Sequence, residues 1–448
     1  MIDEMIAMEL CPLDGRYKDI KELLAPYFSE YAYIKYRVLV EIEWLIYLIE
    51  KNVIETENEN IYLIKKIYTN FNINSYYEVK EQEKITNHDV KAIEYFIGNK
   101  LKEVCLNSLI SFVHIGLTSE DVNNTAYALM IKDFLIKLYY PKIEEFINYL
   151  EFLASTYKNI PFLAHTHGQP ATPTTVGKEF KVYLYRLKEE VLKLKSAPIK
   201  AKFNGATGNY SALSITYPEI DIVSLCQDYI ESKLNLTFNP LTTQIENHDY
   251  LVNILDFIRH INNIILDLNI DMWLYISKSY FKLQVIQNEV GSSTMPHKVN
   301  PINFENSEAN LEIANGLLVT LSNKLPRSRM QRDLSDSSAL RNLGICFGYS
   351  LQGMKETLKG LKKVIVNEEK LISELDSEWE VLAEPIQTVL RKYQIPDAYS
   401  RLKDLTRGKK VTKEILHEFI EKLEISEQDK KRLLNLTPST YIGLANKL

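Results

Sequence analysis

The chain has 448 residues, several times what one hydrophobic core needs, so two or three domains or one large elongated architecture are expected. Hydrophobic residues make up 46% and charged residues 25%, which excludes a disordered tail protein. The net charge of −6 excludes a general pull toward nucleic acid or an anionic membrane, so an anionic ligand must meet a local cluster of Arg and Lys.

The N-terminal MIDEMIAMEL is acidic where a signal peptide needs a basic start and an apolar run. The best apolar stretch, Val38 to Ile49, is interrupted by Glu41 and Glu43, so no membrane span is expected. Cys11, Cys105, Cys226 and Cys346 lie far apart and form no CxxC pair, which argues against a disulfide framework or a zinc site. A reduced, cytoplasmic, soluble protein is expected. Residues 1–111 carry short helical patterns broken by polar runs such as ETENEN at 55–60, and form an N-terminal helical domain.

From residue 112 the pattern lengthens. Helices are predicted over Ser119–Tyr139, where Ser119, Glu120 and Asp121 supply good N-terminal chemistry, and over Pro141–Lys158, where a proline suits a kink or a first turn. Thr174–Lys195 follows. Between Pro240 and Gly291 there is no proline or glycine, and Leu251, Leu255, Ile258, Ile261, Ile265, Leu268 and Met272 step by three and four. That spacing predicts a helix of about 40 residues, roughly 60 Å long. Leu266, Ile270 and Trp273 add a second apolar flank, so the helix should be buried on more than one side. Asn306–Lys324 and Asp336–Lys363 complete a bank of long helices, residues 112–363, with no convincing alternating strand. Glycine is scarce, 15 residues, which favours helices over turn-rich folds. Residues 364–448 hold short helices between Pro396, Gly408 and Pro438, a small C-terminal helical domain.

Four places interrupt the helices with reactive residue types. His165-Thr166-His167-Gly168-Gln169-Pro170 reads as a polar connector, as two metal ligands lacking a nearby third, or as a tethered histidine suited to proton transfer near neutral pH. Residues 291–301, GSSTMPHKVNP, follow the longest helix; Pro296 and Pro301 bracket His297, Lys298 and Asn300 while the glycine end can move, as a closing lid requires. LPRSRMQRDLSDSSALR at 325–341 gathers Arg327, Arg329, Arg332 and Arg341, either a solvated helix face or an anion site using paired guanidinium hydrogen bonds. Asn87-His88-Asp89, with Asp14-Gly15-Arg16-Tyr17 upstream, is a weaker signal. Nucleotide-binding Gly-rich loops, the G-x-S-x-G elbow and H-E-x-x-H are all missing from the sequence.

GSSTMPHKVNP resembles the signature loop of the fumarase/aspartase superfamily, helical homotetrameric lyases that release fumarate by β-elimination. His297 before Lys298 is similar to its adenylosuccinate lyase branch, where fumarases and aspartases carry Gly and argininosuccinate lyases Gln. DGRY (14–17), NHDVKAIEYF (87–96), GLTSED (116–121), THGQPATP (166–173), FNGATGNY (203–210), TTQIENHDY (242–250), QRDLSDSSALRNLG (331–344), WEVLAEPIQTV (379–389) and LTRGK (405–409) extend the likeness over nearly the whole chain.

The resemblance implies a mainly α, three-domain fold (1–111, 112–363, 364–448) whose central long-helix bundle is shared in a homotetramer, with each active site drawn from three subunits. It implies no cofactor, no metal, and small nucleotide substrates in purine biosynthesis. His167 would be the general acid and Ser292 the general base. Arg16, Tyr17, Asn87, His88, Asp89, Thr118, Ser119, Gln244, Lys298, Val299, Asn300, Asn306, Arg332, Ser337, Ser338, Ala339, Leu340 and Arg341 would bind substrate. Competing readings are a superfamily lyase for argininosuccinate or a cyclised dicarboxylate, an inactive structural relative, and a helical binding module. Intact His167, Ser292 and Lys298 weigh against the inactive relative. Three polar, proline-fixed loops weigh against the binding module.

Overall fold

The computed structural model describes residues 9–284, 295, 298–406 and 410–448. They fall into two compact units: residues 1–143, 190–263 and 309–354 make up the first, and residues 144–189, 264–308 and 355–448 the second.

In the first unit the helix Glu30–Glu50 is apolar nearly all round, and its stretch from Val40 to Ile49 is buried. A helix buried on every side belongs at the centre of a bundle. Ser29 starts it by accepting the Ala32 N–H at 3.1 Å. Trp44 packs edge-on against Phe203 and Tyr229, with ring centroids 4.9 and 5.0 Å away, and donates its indole N–H to the Ile115 carbonyl at 3.2 Å. At another edge Phe28, Phe134 and Phe347 form an aromatic cluster. Gly344 and Gly348, one turn apart on the helix Leu343–Leu361, make room for it: a Cβ at Gly344 would stand 2.7 Å from Phe28, and one at Gly348 2.6 Å from Leu13.

The same unit contains a fully buried ion pair, Lys202 with Asp121, at 2.9 Å. The Lys202 ammonium has three donors and uses them all, the other two on the carbonyls of Gly205 (2.9 Å) and Gln244 (2.8 Å). Asp121 accepts the backbone N–H groups of Thr118, Asn204 and Gly205 at 2.9, 3.0 and 3.1 Å. Three separate polar runs, GLTSED, KFNG and TTQIE, are thereby locked to one point.

Among the described residues the second unit carries three of the four small sheets. Pro161–Phe162 pairs antiparallel with Thr174–Thr175, His165–Thr166 with Gln169–Pro170, and Phe281–Leu283 with Val364–Val366. Helix Val176–Ser196 begins where Gly177 lets the chain pass: a Cβ there would lie 2.3 Å from the Ala154 carbonyl. Helices Ala383–Lys392, Ala398–Thr406, Lys413–Glu421 and Glu427–Leu434 enclose their own core of Leu382, Ile386, Leu390, Leu416, Ile420 and Leu433.

The predicted helices are present with shifted ends. Ser119–Phe134 gives way to a π-turn at Leu135–Tyr139 before the helix resumes at Tyr140. Pro141 is the cause: it has no N–H to offer and its ring crowds the preceding turn, which widens. The longest helix is Asp249–Ser277, 29 residues and shorter than predicted. Ser279, at φ +63°, turns the chain so that buried Tyr280 and Phe281 leave the helix and the strand Phe281–Leu283 can pair. Asp336–Lys363 is two helices, Ser335–Leu340 and Leu343–Leu361. Among the described residues every strand is two or three residues long, too short to show alternation in sequence. Among the described residues no helix is long and apolar enough to cross a membrane.

Removing one member of a buried ion pair leaves an uncompensated charge, so Lys202→Met should cost about 3–5 kcal/mol. The expected readout is a large fall in the thermal midpoint. Adding Asp121→Asn should recover part of that loss, because the stranded charge disappears while an amide oxygen still accepts N–H groups. Additive losses in the double variant would show that the pair is not the source of the effect.

Candidate active site

In the first unit a small, partly open cleft is lined by Tyr33, Glu120, Asn123, His248, Ser337 and Leu340, among others. Two of the predicted arginines touch residues that line it. Arg332 reaches Glu120 at 2.9 Å, and Glu120 also accepts from the Asn123 amide at 2.7 Å. Arg341 lies with its guanidinium 5.9 Å from the Tyr33 ring centroid and 3.9 Å from Asp89. The other two arginines of the predicted cluster turn elsewhere: Arg327 donates to the Asn323 carbonyl and Arg329 pairs with Asp333, both local contacts. The anion cluster read from the sequence is therefore two arginines at the cleft rather than four.

Asp89 is shared. Buried Arg37 donates to it at 2.8 Å while its guanidinium lies over Tyr33, 3.7 Å from the ring centroid. Burial raises the Asp89 carboxyl, but Arg37 outweighs it and holds the group below the usual carboxylate range. Asp89 opens the helix Asp89–Glu103, and His88 caps it by accepting the Lys91 N–H on Nδ1 at 3.1 Å. That bond leaves the proton on Nε2, on an exposed side chain. Asn87 ends the preceding helix in the left-handed region, φ +50°, which asparagine tolerates well.

Thr118 and Ser119 form the entrance of the helix Ser119–Phe134, half-buried beside Glu120. Gln244 is half-buried, with its carbonyl held by Lys202. Arg16 is exposed just before the helix Lys18–Phe28, and the Tyr17 hydroxyl accepts from the Asn310 amide at 3.4 Å. Ser338 is exposed and Ala339 half-buried on the short helix Ser335–Leu340.

The remaining predicted residues that are described belong to the second unit. His167 and Gly168 form the two-residue tip of the hairpin between His165–Thr166 and Gln169–Pro170, at φ +55° and +72°. Positive φ at both tip residues matches the twist of the flanking strands. The His167 side chain is exposed and makes no hydrogen bond to another described residue. His165 differs. Its Nδ1 lies 3.1 Å from the Leu163 carbonyl and its Nε2 3.8 Å from Glu374. Burial, with Lys278 adding to it, holds this imidazole below the usual histidine range. His165 is thus tied down and His167 is presented.

Lys298 and Val299 are exposed, with the Lys298 N–H on the Met295 carbonyl at 3.0 Å. Asn300 and Asn306 are half-buried. Ser292 and His297 lie outside the described residues. Among those described, no group of three or more His, Cys, Asp or Glu is arranged to hold a metal ion.

Sequence reading missed Arg37, Glu120 and His248 as residues of this region. Their signal was faint: Arg37 and Glu120 sit at charged positions on otherwise buried helices, and His248 within a polar run.

Because the Asp89 carboxyl is depressed in the folded chain, its contribution to stability is present above the ordinary aspartate range and disappears as pH falls through the folded value. Asp89 is 36% exposed, so Asp89→Asn should cost only about 1–2 kcal/mol near neutral pH. Thermal midpoints of the variant and wild type should converge as pH drops below ~4. A gap that stays constant through the acid range would exclude the Arg37–Asp89 pair as its source.

Comparison with known proteins identifies the family. The family described as Lyase matches residues 15–314, and the one described as Adenylosuccinate lyase C-terminal matches residues 328–442. The chain is 47% identical to the adenylosuccinate lyase of Legionella pneumophila strain Corby, covering 98% of this chain and 97% of the relative. It is 48% identical to that of Haemophilus influenzae strain Rd over the same shares. The crystal structure of a fumarate lyase from Mesorhizobium sp. BNC1 superposes with a TM-score of 0.75 at 18% identity, covering 96% of each chain, and shows that the fold is the mainly α fold of the fumarase/aspartase lyases. The chain belongs to the adenylosuccinate lyase family.

Proposed function

We propose that this chain cleaves adenylosuccinate to AMP and fumarate, and succinylaminoimidazole carboxamide ribotide to AICAR and fumarate, by general acid–base β-elimination in purine biosynthesis. The observation that carries the reading is 47–48% identity to adenylosuccinate lyases over 98% of the chain. The proposal includes a cytoplasmic location and three domains bounded at 1–111, 112–363 and 364–448. It also includes a homotetramer in which three subunits contribute to each active site.

In this reading Ser292 takes the proton from the carbon beside a carboxylate. The C–H electrons become the new double bond, the C–N bond breaks, and the leaving nitrogen takes a proton from His167. An imidazole exposed on a stiff two-residue turn suits that donation. Negative charge builds on the carboxylate as the proton leaves, and fixed cations and N–H donors aimed at it lower the barrier. Lys298, Val299, Asn300 and Asn306 are assigned to that task. Arg16, Tyr17, Asn87, His88, Asp89, Thr118, Ser119, Gln244, Arg332 and Ser337 to Arg341 are assigned to the rest of the substrate, with its second carboxylate and its phosphate. Arg332 and Arg341 at the cleft are cations of the right kind. A serine hydroxyl is too weakly acidic to act alone, so the proposal has loop closure exclude water while Lys298 and backbone donors stabilise the alkoxide.

Purified protein given adenylosuccinate should release equimolar AMP and fumarate; release from argininosuccinate instead would move the assignment to another branch. Ser292→Ala should abolish turnover while leaving substrate binding largely intact. His167→Ala should lose about 10²–10⁴-fold in kcat. Near-normal kcat in either variant would remove that residue from its role.

A further inference from the structure

Within the first unit, the turn that bears Gln244 and the short helix Ser335–Leu340, which Arg341 caps, are joined by a buried polar contact. His248 is 4% and Asp336 3% exposed, and His248 Nε2 faces Asp336 Oδ2 at 3.5 Å. Each side of the contact is braced. His248 sits at φ +62°, an unfavourable backbone for histidine, and its N–H is held by Glu246 at 2.6 Å. The other Glu246 oxygen accepts from Asn239 at 2.7 Å. Asp336 uses its second oxygen to accept the Ser337 N–H at 2.7 Å.

The helix Ser335–Leu340 has six residues, too few to be stable by itself, so its position is set by what it touches. On its own span, buried Leu340 fills space without fixing direction, whereas Asp336 is oriented from two sides. We propose that His248 and Asp336 are positioning residues: they hold the 337–341 segment in register with the Gln244 turn, so that both reach one substrate. This rests on the assignment of Gln244 and of Ser337 to Arg341 as substrate-binding residues. Neither His248 nor Asp336 is asked to touch the reacting atoms. Their effect passes through residues that bind, and a small displacement of such residues is costly.

The test compares steady-state kinetics of His248→Leu, His248→Gln, Asp336→Leu and the double Leu variant, with circular dichroism and thermal midpoints for each. Arg341→Gln serves as a direct-contact control. His248→Leu should raise KM about tenfold or more with a smaller change in kcat. His248→Gln, which returns an N–H near the Nε2 position, should recover most of that loss. The double Leu variant should be little worse than either single one. His248→Leu with KM within twofold of wild type would overturn the proposal, as would a glutamine variant no better than leucine. Should the leucine variants not fold, the glutamine variant and Asp336→Asn decide: unchanged KM in Asp336→Asn together with impaired KM in His248→Gln breaks the pairing. If Arg341→Gln leaves KM unaltered, the underlying assignment of the segment fails and the proposal with it. If Arg341→Gln raises KM while His248→Leu does not, only the positioning role fails.

Discussion

The polar walls of the first unit are tied together by the buried ammonium of Lys202. Lys202 is surrounded by one carboxylate and two carbonyls, and each of its hydrogens has a destination. Asp121 is equally occupied, with three backbone donors besides the ammonium. Burying such a pair is costly unless its hydrogen-bonding capacity is filled, and here that condition is met. The consequence is that three polar runs, which composition alone would assign to solvent-exposed loops, are held as one wall. Glycine makes this possible: Gly205 and Gly208 have φ of +85° and +79°, and a Cβ on Gly208 would lie against the Thr242 carbonyl.

The helices were legible because their apolar residues recur every three or four positions. Polar residues on the same stripe were not. Asn262 and Asn269 are seven apart on the helix Asp249–Ser277, and Ser350 and Thr357 are seven apart on Leu343–Leu361. In the first unit Ser350 donates to Asn262 at 2.6 Å, and Asn262 to Asn315 at 3.1 Å. In the second unit Asn269 donates to Ser307 at 2.9 Å and accepts from Thr357 at 2.8 Å. A buried asparagine in a helical seam reads as a defect in the apolar pattern, yet fully paired layers of this kind oppose sliding of one helix along another. Helix ends were the least legible. Ser277 ends its helix because Phe281 has a strand partner more than eighty residues later, a contact that no local pattern announces.

For the candidate site, the chain's motifs proposed residues but not their company. The resemblance singled out His167 over His165. The residue pattern left both open, because adjacent histidines in a polar loop have the same composition whichever one is presented. What separates them is a two-residue turn that aims one imidazole outward and leaves the other beside a carbonyl and Glu374. Likewise the run of arginines at 325–341 looks uniform in sequence. Its members differ in their partners: the Asn323 carbonyl for Arg327, a local carboxylate, Asp333, for Arg329, and the distant Glu120 for Arg332.

That difference bears on how an acidic chain holds an anionic substrate. The cations at the cleft are paired with carboxylates of the protein, so a ligand must exchange with those partners rather than fill a bare positive patch. The pairs differ in how readily they exchange. The Arg37 side chain is 2% exposed, within 2.8 Å of Asp89 and stacked on Tyr33; moving it would strand a charge inside the unit. The Arg341 side chain is 50% exposed and 3.9 Å from the same carboxylate, so little is lost when it turns to a phosphate or carboxylate of a ligand. Arg332 falls between, at 2.9 Å from Glu120 and 20% exposed. Asp89 is thus neutralised by Arg37 whether or not Arg341 leaves. A buried arginine beneath the cleft leaves the exposed one able to turn to an anionic ligand without stranding Asp89.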